Sequence, residues 1–123
     1  MDFQGRDVVV TGGTGPLGSA VVKALVAAGA SCHVPAFSAK DAEEFALRGH
    51  KQVRVAAPVD LSNEDAVRGF YAGVPKLWGS IHCAGGFASA AVKDTDKGLL
   101  MRMLSINTIT TFLCCSAAVR AML

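Results

Sequence analysis

The sequence is poor in charge, in aromatic rings and in any arrangement of cysteine that could build a fold. Only 18% of its 123 residues are charged and 7% aromatic, with a single tryptophan and a single tyrosine. Cys32, Cys83, Cys114 and Cys115 form no Cys-x-x-Cys pair, and the three histidines stand at no zinc-ligand spacing from them. No metal site is expected, and a disulfide scaffold does not suit a chain this apolar. The four thiols read as reduced and packed, because free cysteine behaves as a small buried hydrophobe. There is no basic stripe: 12 basic and 10 acidic residues are mixed along the chain for a net charge of +2, so nucleic acid is not the expected partner. Repeats, low-complexity tracts and linkers are missing too. The first residues, Met1 to Asp7, are polar and carry no secretory signal. The apolar stretch near the C-terminus is broken by Ser116 and Arg120 and reads as too short to span a bilayer. The expectation is a cytoplasmic protein with no membrane partner.

What is abundant is apolar surface. Hydrophobic residues make up 51%, enough to exclude a disordered segment, and the length points to one domain, or part of one, over residues 1–123. Val8-Val9-Val10 is an uninterrupted β-branched run, as in a strand buried on both faces of a parallel sheet. After a glycine-rich turn, Leu17, Ala20, Val21, Ala24, Leu25 and Ala28 fall on one face of a predicted helix. Pro16 suits its first turn and Gly29 its end. Residues 30–36 read as a second strand. Ser38-x-x-Asp41 reads as a capping box for a helix over 42–47 that Gly49 closes. Residues 52–59 read as a third strand. Ser62-x-x-Asp65 reads as a second capping box, with Ala66, Val67, Phe70, Tyr71 and Val74 on the face behind it and Pro75 as its stop. Residues 77–84 read as a fourth strand. A helix runs from about Lys97 to the terminus, with Leu100, Met103, Leu104, Ile109, Phe112, Leu113 and Val119 among its apolar members. Strand and helix alternate with short links, which predicts an α/β fold: a Rossmann-type, doubly wound parallel sheet.

The motif with chemical content is Thr11-Gly12-Gly13-Thr14-Gly15-Pro16-Leu17-Gly18. It directly follows a buried strand and opens an amphipathic helix, the context a dinucleotide fingerprint demands. Gly12 permits the tight turn, Gly15 lets a pyrophosphate approach backbone, and Gly18 lets helix pack on strand. The phosphates would then meet the unpaired N–H groups and positive dipole end of the helix.

On these residues the chain resembles a short-chain dehydrogenase/reductase. Thr11-Gly12 followed by Gly15 and Gly18 is similar to that family's cofactor motif, in the spacing of its extended and atypical members. Val59-Asp60-Leu61 resembles the acidic segment that contacts adenine, although Asp60 also reads as a solvated loop acid. His82-Cys83-Ala84-Gly85-Gly86 resembles the Asn-Asn-Ala-Gly segment beside the cofactor, with both amides replaced. Ser105-Ile106-Asn107-Thr108 resembles the helix that carries the catalytic-tetrad asparagine, which disturbs the helix locally in the family. The resemblance implies an NAD(P)-dependent oxidoreductase acting on a small carbonyl or alcohol substrate, homo-oligomeric in its full-length form. It implies pyrophosphate binding at Gly12, Thr14, Gly15, Pro16 and Leu17, adenine binding at Asp60 and Leu61, and ribose contacts at Cys83, Ala84 and Gly85. Asn107 would be catalytic. His82, on a strand, reads more readily as a satisfied core histidine.

The end of the second strand reads Ala36-Phe37-Ser38-Ala39-Lys40, with no carboxylate at Ala36 to favour the ribose of NAD. Ser38 or Lys40 could bind a 2′-phosphate and Phe37 could stack on adenine, so the expectation leans weakly to NADP over NAD. The family's acid/base pair is a tyrosine and a lysine four residues later. Here Tyr71 is followed at that distance by Pro75 and cannot serve. The expectation is therefore a chain truncated before the catalytic tyrosine, with its fourth strand an unprotected sheet edge. Two other readings remain: a non-catalytic nucleotide-binding or regulatory relative, and a sugar-nucleotide epimerase-like member.

Overall fold

The run Val8–Val10 forms the middle of strand β1 (Asp7–Thr11) in the computed structural model, which describes residues 2–123. Strands β2 (Ser31–Pro35), β3 (Val53–Ala56) and β4 (Leu77–His82) join it in one parallel sheet of order β3-β2-β1-β4. The helices are α1 (Pro16–Ala27), α2 (Ala39–Glu44), α3 (Glu64–Ala72), α4 (Lys97–Met103) and α5 (Thr110–Met122). A π turn, Leu104–Ile109, links the last two. The chain winds outward from β1 to β3 and then returns to set β4 on the other side of β1. The sheet is thus the expected Rossmann-like α/β architecture, and its topological switch point lies between β1 and β4.

Side chains alternate across a strand, so β1 feeds two cores. Val8 and Val10 pack with Val22, Leu25, Cys32, Val34 and Phe45 on one face. Val9 packs with Val67, Tyr71, Val74, Leu77, Cys114 and Ala118 on the other. All three β1 valines are at most 1% exposed, and burial of each contributes roughly 1.5–3 kcal/mol. Neither core needs the chemistry of its polar members. Burial pushes the Cys32 and Cys114 thiols up to about 11, so both stay protonated. The buried Tyr71 hydroxyl, hydrogen-bonded to Ser80 Oγ at 2.8 Å, is raised above its usual value, mainly by loss of solvent. Cys115 departs from the packed-thiol expectation: it is exposed.

Several local expectations are corrected. The inward face of α1 is Gly18, Val22 and Leu25, whereas Leu17, Ala20 and Ala24 face solvent. The helix is apolar on most sides, so periodicity could not choose its face; the close approach at Gly18 does. Helix α2 starts where Ser38 caps it but ends at Phe45, whose extended backbone (ψ 117°) lets the ring enter the core; Gly49 plays no part in ending it. Strand β3 stops at Ala56, before Pro58, which has no N–H to extend a ladder. The cap of α3 is Asn63, not Ser62. Asn63 Oδ1 accepts from Ala66 N at 2.9 Å, while Ser62 Oγ donates to Asp60 Oδ1 at 2.6 Å. Asn63→Ala should therefore lower the unfolding free energy by about 1 kcal/mol in urea titrations, and Ser62→Ala should not uncap the helix.

The C-terminal run gives two further corrections. Lys97–Met122 is one helical stretch of 26 residues whose most apolar 18 residues have a mean hydropathy of 1.4, long and apolar enough by length and composition to cross a membrane. Ser116 and Arg120 interrupt the apolar composition but not the helix. Its buried side is also not its most apolar side. Thr110, Cys114 and Ala118 face the sheet, while Leu100, Leu104, Ile109, Phe112 and Val119 are exposed. Small side chains let the helix lie close to the strands, and that contact overrides the hydrophobic pattern.

Candidate functional site

Gly12 and Gly18 are required by the protein itself, and Gly13 is crowded too, since a Cβ there would lie 2.8 Å from Val34 Cγ1 and 3.0 Å from Val10 O. Gly12 has φ +68°, and a Cβ there would lie 2.6 Å from Ala84 N and from the Cys83 carbonyl carbon. The same crossing is held by Cys83 N donating to Thr11 O and Ala84 N donating to Thr11 Oγ1, at 3.0 and 3.3 Å. A Cβ on Gly18 would run into the Gly12 carbonyl, whose carbon is 2.5 Å away. Gly15 is different. Its φ of −83° suits any residue, and an added Cβ would touch only Gly12 O, at 3.4 Å. The space beside it is open cleft.

Gly15 is also the N-cap of α1, and it brings no side chain to the cap. Helices α2, α3 and α4 are closed by Ser38, Asn63 and Asp96, whose oxygens accept from the third residue on at 3.1, 2.9 and 2.8 Å. Helix α1 has no such acceptor and no acidic residue in its first turn. Pro16 has no N–H to satisfy, so the free donors are those of Leu17 and Gly18. They open with the positive end of the helix dipole onto the cleft, a ready position for an anion.

The cleft itself occupies about 660 Å³ at the C-terminal ends of the strands. Gly12, Thr14, Gly15, Pro16, Leu17 and Gly18 form its floor. Pro35, Phe37, Asp41, Val59, Asp60, Leu61 and Ser62 form the side toward β2 and β3, and Cys83, Ala84, Gly85, Ile106 and Thr110 the side toward β4. Ser38 and Lys40 do not line it. The Ser38 hydroxyl caps α2 instead.

Asn107 stands at the edge of the β4 side, on the π turn. Its Nδ2 donates to Gly86 O at 3.0 Å and to Met103 O at 2.9 Å, and its Oδ1 accepts from Gly86 N at 3.1 Å. Met103 O is the carbonyl that Asn107 N–H would take in an α-helix. Thr110 and Thr111 hydroxyls take the Ile106 and Asn107 carbonyls at 2.9 and 2.7 Å. Side chains thus absorb the backbone groups that the wider turn releases, as such turns at functional sites require.

The profile of the short chain dehydrogenase family matches residues 6–123. The chain belongs to that family. A short-chain type dehydrogenase/reductase from Mycobacterium ulcerans is 29% identical and superposes with a TM-score of 0.87 over 99% of this chain and 48% of its own. A short chain dehydrogenase/reductase family protein is 25% identical, with a TM-score of 0.89 over 99% of this chain and 52% of its own. The chain therefore spans about half the length of the solved structures it matches. No curated protein matches its sequence.

This short-chain dehydrogenase chain departs from the family segment at His82 and Cys83. His82 is not the satisfied core histidine expected. That role falls to His33, 5% exposed, whose Nε2 is 2.8 Å from Asp7 Oδ1. His82 Nδ1 is buried and has no hydrogen-bond partner among the described residues. Burial lowers the His82 pKa below its ordinary value of 6.5. The unfolded chain then binds a proton that the folded chain resists. Stability contributed by the neutral ring is complete above about pH 6.5 and declines as pH falls below it. Thermal melts from pH 8 to 5 should show this decline, and His82→Gln should reduce it.

Sequence reasoning missed Pro35, Asp41, Val59, Ser62, Ile106 and Thr110 as cleft residues. Ile106 and Thr110 were signalled by position, since they flank Asn107 within one turn. Asp41 was hidden by its other duty, because its N–H donates to the Ser38 cap while the residue also lines the cleft.

Proposed function

We propose that this chain binds a nicotinamide dinucleotide in the cleft and forms the cofactor-binding part of an oxidoreductase acting on a carbonyl or alcohol. The uncapped start of α1 beside the open flank of Gly15 carries this reading. Every other α-helix that begins from a loop closes its first turn with a side chain, so this one is left to an external anion.

The residues present fit such a group. Gly12, Thr14, Gly15, Pro16 and Leu17 would hold the pyrophosphate. Asp60 and Leu61 would face adenine, with Phe37 beside them. Cys83, Ala84 and Gly85 would support the second ribose. Asn107 would fix the Gly86 loop against the helix and take part in the family's proton relay. A bound nicotinamide supplies the hydride chemistry; this chain's residues bind it, orient it and wall it from water. The exposed row Leu100, Leu104, Phe112 and Val119 suits pairing of subunits in the full-length protein.

Isothermal titration of a folded sample with NADH and with NADPH tests the reading. Saturable one-to-one binding of at least one is expected. Absence of binding for both overturns it.

A further inference from the structure

The sheet ends on two open edges, and one of them is cationic. Strand β3 pairs only with β2. In a parallel ladder, successive residues turn their backbone groups to opposite sides. Cys32 N donates to Gln52 O and Ala36 N donates to Ala56 O, both at 2.8 Å. Gln52, Arg54 and Ala56 therefore face β2, and Val53 and Val55 face outward. The Val53 N–H is taken by His50 O at 3.0 Å. The Val53 carbonyl and both backbone groups of Val55 are left open along the edge.

The charge around that edge has one sign. From Phe45 to Val59 the chain has Arg48, Lys51 and Arg54 and no acidic residue. All three are exposed, and none forms an ion pair among the described residues. Charge that balances over the whole chain does not balance here. Strand β4, the other edge, carries no lysine, arginine or carboxylate along Leu77–His82. Beside β3 lies a groove of about 290 Å³, whose lining includes Arg54, Val55, Gly69, Phe70, Gly73 and Val74. Gly69 brings no side chain to it, and a Cβ there would meet nothing within 4 Å.

We propose that the β3 edge is a docking surface for an extended acidic segment of a partner protein, which adds a strand to the sheet. Basic side chains on an edge repel a second copy of the same strand, which carries the same charges. They do not repel a strand of opposite charge. Its backbone would complete the open groups of Val53 and Val55, and its carboxylates would meet Arg48, Lys51 and Arg54. The main chain supplies affinity, and the charges supply the choice of partner. The groove gives an apolar side chain of the added strand a place beside Phe70 and Val74. The groove and the dinucleotide cleft share no lining residue, so this surface stands apart from the cofactor reading.

The probe is a peptide alternating glutamate and valine over about eight residues, the length of a short strand. Titration should show saturable binding that weakens several-fold between about 0.05 and 0.3 M salt, as the screening length falls below about 10 Å. The double variant Lys51→Glu/Arg54→Glu, shown to be folded by its thermal melt, should bind at least about tenfold more weakly. Hydrogen exchange at the Val55 amide should slow on binding, which attraction without strand addition would not cause. No binding of the peptide, or equal binding of a lysine–valine peptide, would overturn the proposal. So would equal binding of a glutamate–proline peptide, which lacks the N–H groups to pair. An unprotected Val55 amide, or unchanged affinity in the double variant, would do the same. A single-stranded oligonucleotide that binds more tightly and displaces the peptide would assign the patch to nucleic acid and overturn it too.

Discussion

Gly12→Ala should lower the unfolding free energy by about 2–5 kcal/mol, the largest loss expected from removing so little space. Two effects add. Left-handed backbone at an L-residue costs roughly 1–2 kcal/mol. The methyl would also sit 2.6 Å from backbone atoms of Cys83 and Ala84, which cannot rotate aside as a side chain can; forcing a packed site apart costs about 1–3 kcal/mol. The strands it would separate, β1 and β4, meet at the switch point. Domains of this kind have only about 5–15 kcal/mol in total, so much of the margin is at stake. Gly18→Ala should behave alike, because its Cβ would meet the Gly12 carbonyl. Urea titration reads both as a lower midpoint with an unchanged slope. A midpoint equal to wild type for Gly12→Ala would refute the steric account.

Gly15→Ala should do the opposite. Its backbone angles, φ −83° and ψ 175°, are open to alanine, and the new methyl meets only one atom at ordinary contact distance. Stability should hold or rise by about 0.4–1 kcal/mol, because alanine restricts the unfolded chain. Dinucleotide affinity should collapse. A methyl on the cleft floor keeps the pyrophosphate from the Leu17 and Gly18 N–H groups. Two hydrogen bonds to a charged acceptor at about 1.5 kcal/mol each amount to about a hundredfold in dissociation constant. Fluorescence titration with NADH checks this alongside the melt. A variant that melts like wild type and binds like wild type would remove Gly15 from the site.

The contrast between these glycines marks the limit of sequence reading. Gly12, Gly15 and Gly18 are equivalent letters in a motif, and the motif correctly announced a strand-turn-helix. Which glycine serves the fold and which serves the ligand depends on what crosses behind them, namely the end of β4, 71 positions on from Gly12 at Cys83. The same holds for faces. The β1 valines were legible because a buried central strand has no polar side to choose. Helix α3 was legible because its charged and apolar residues separate cleanly. Helices α1 and α5 were not: both are apolar nearly all round, and small residues (Gly18, Cys114, Ala118) rather than large ones decide what touches the sheet. On the site, residues that act by side chain at a motif were readable. Asp41, which faces the cleft from a helix whose start it also helps to build, was not.

The π turn at Leu104–Ile109 has a consequence of phase. One residue more than an α-turn holds is inserted there, and each residue of an α-helix advances the azimuth by about 100°. The two halves of the long helix therefore keep different bearings, like two gears on one shaft set a tooth apart. Removing a residue within the turn would restore an ordinary α-helix and leave Thr110, Cys114 and Ala118 facing the sheet. Removing Thr110, just beyond it, would instead bring Thr111, Cys115 and Val119 to the places now held by Thr110, Cys114 and Ala118. Valine would then press on the strands where alanine lies, and the thiol that now meets solvent would turn inward. Asn107, by holding the Met103 and Gly86 carbonyls, is the tooth that keeps the setting.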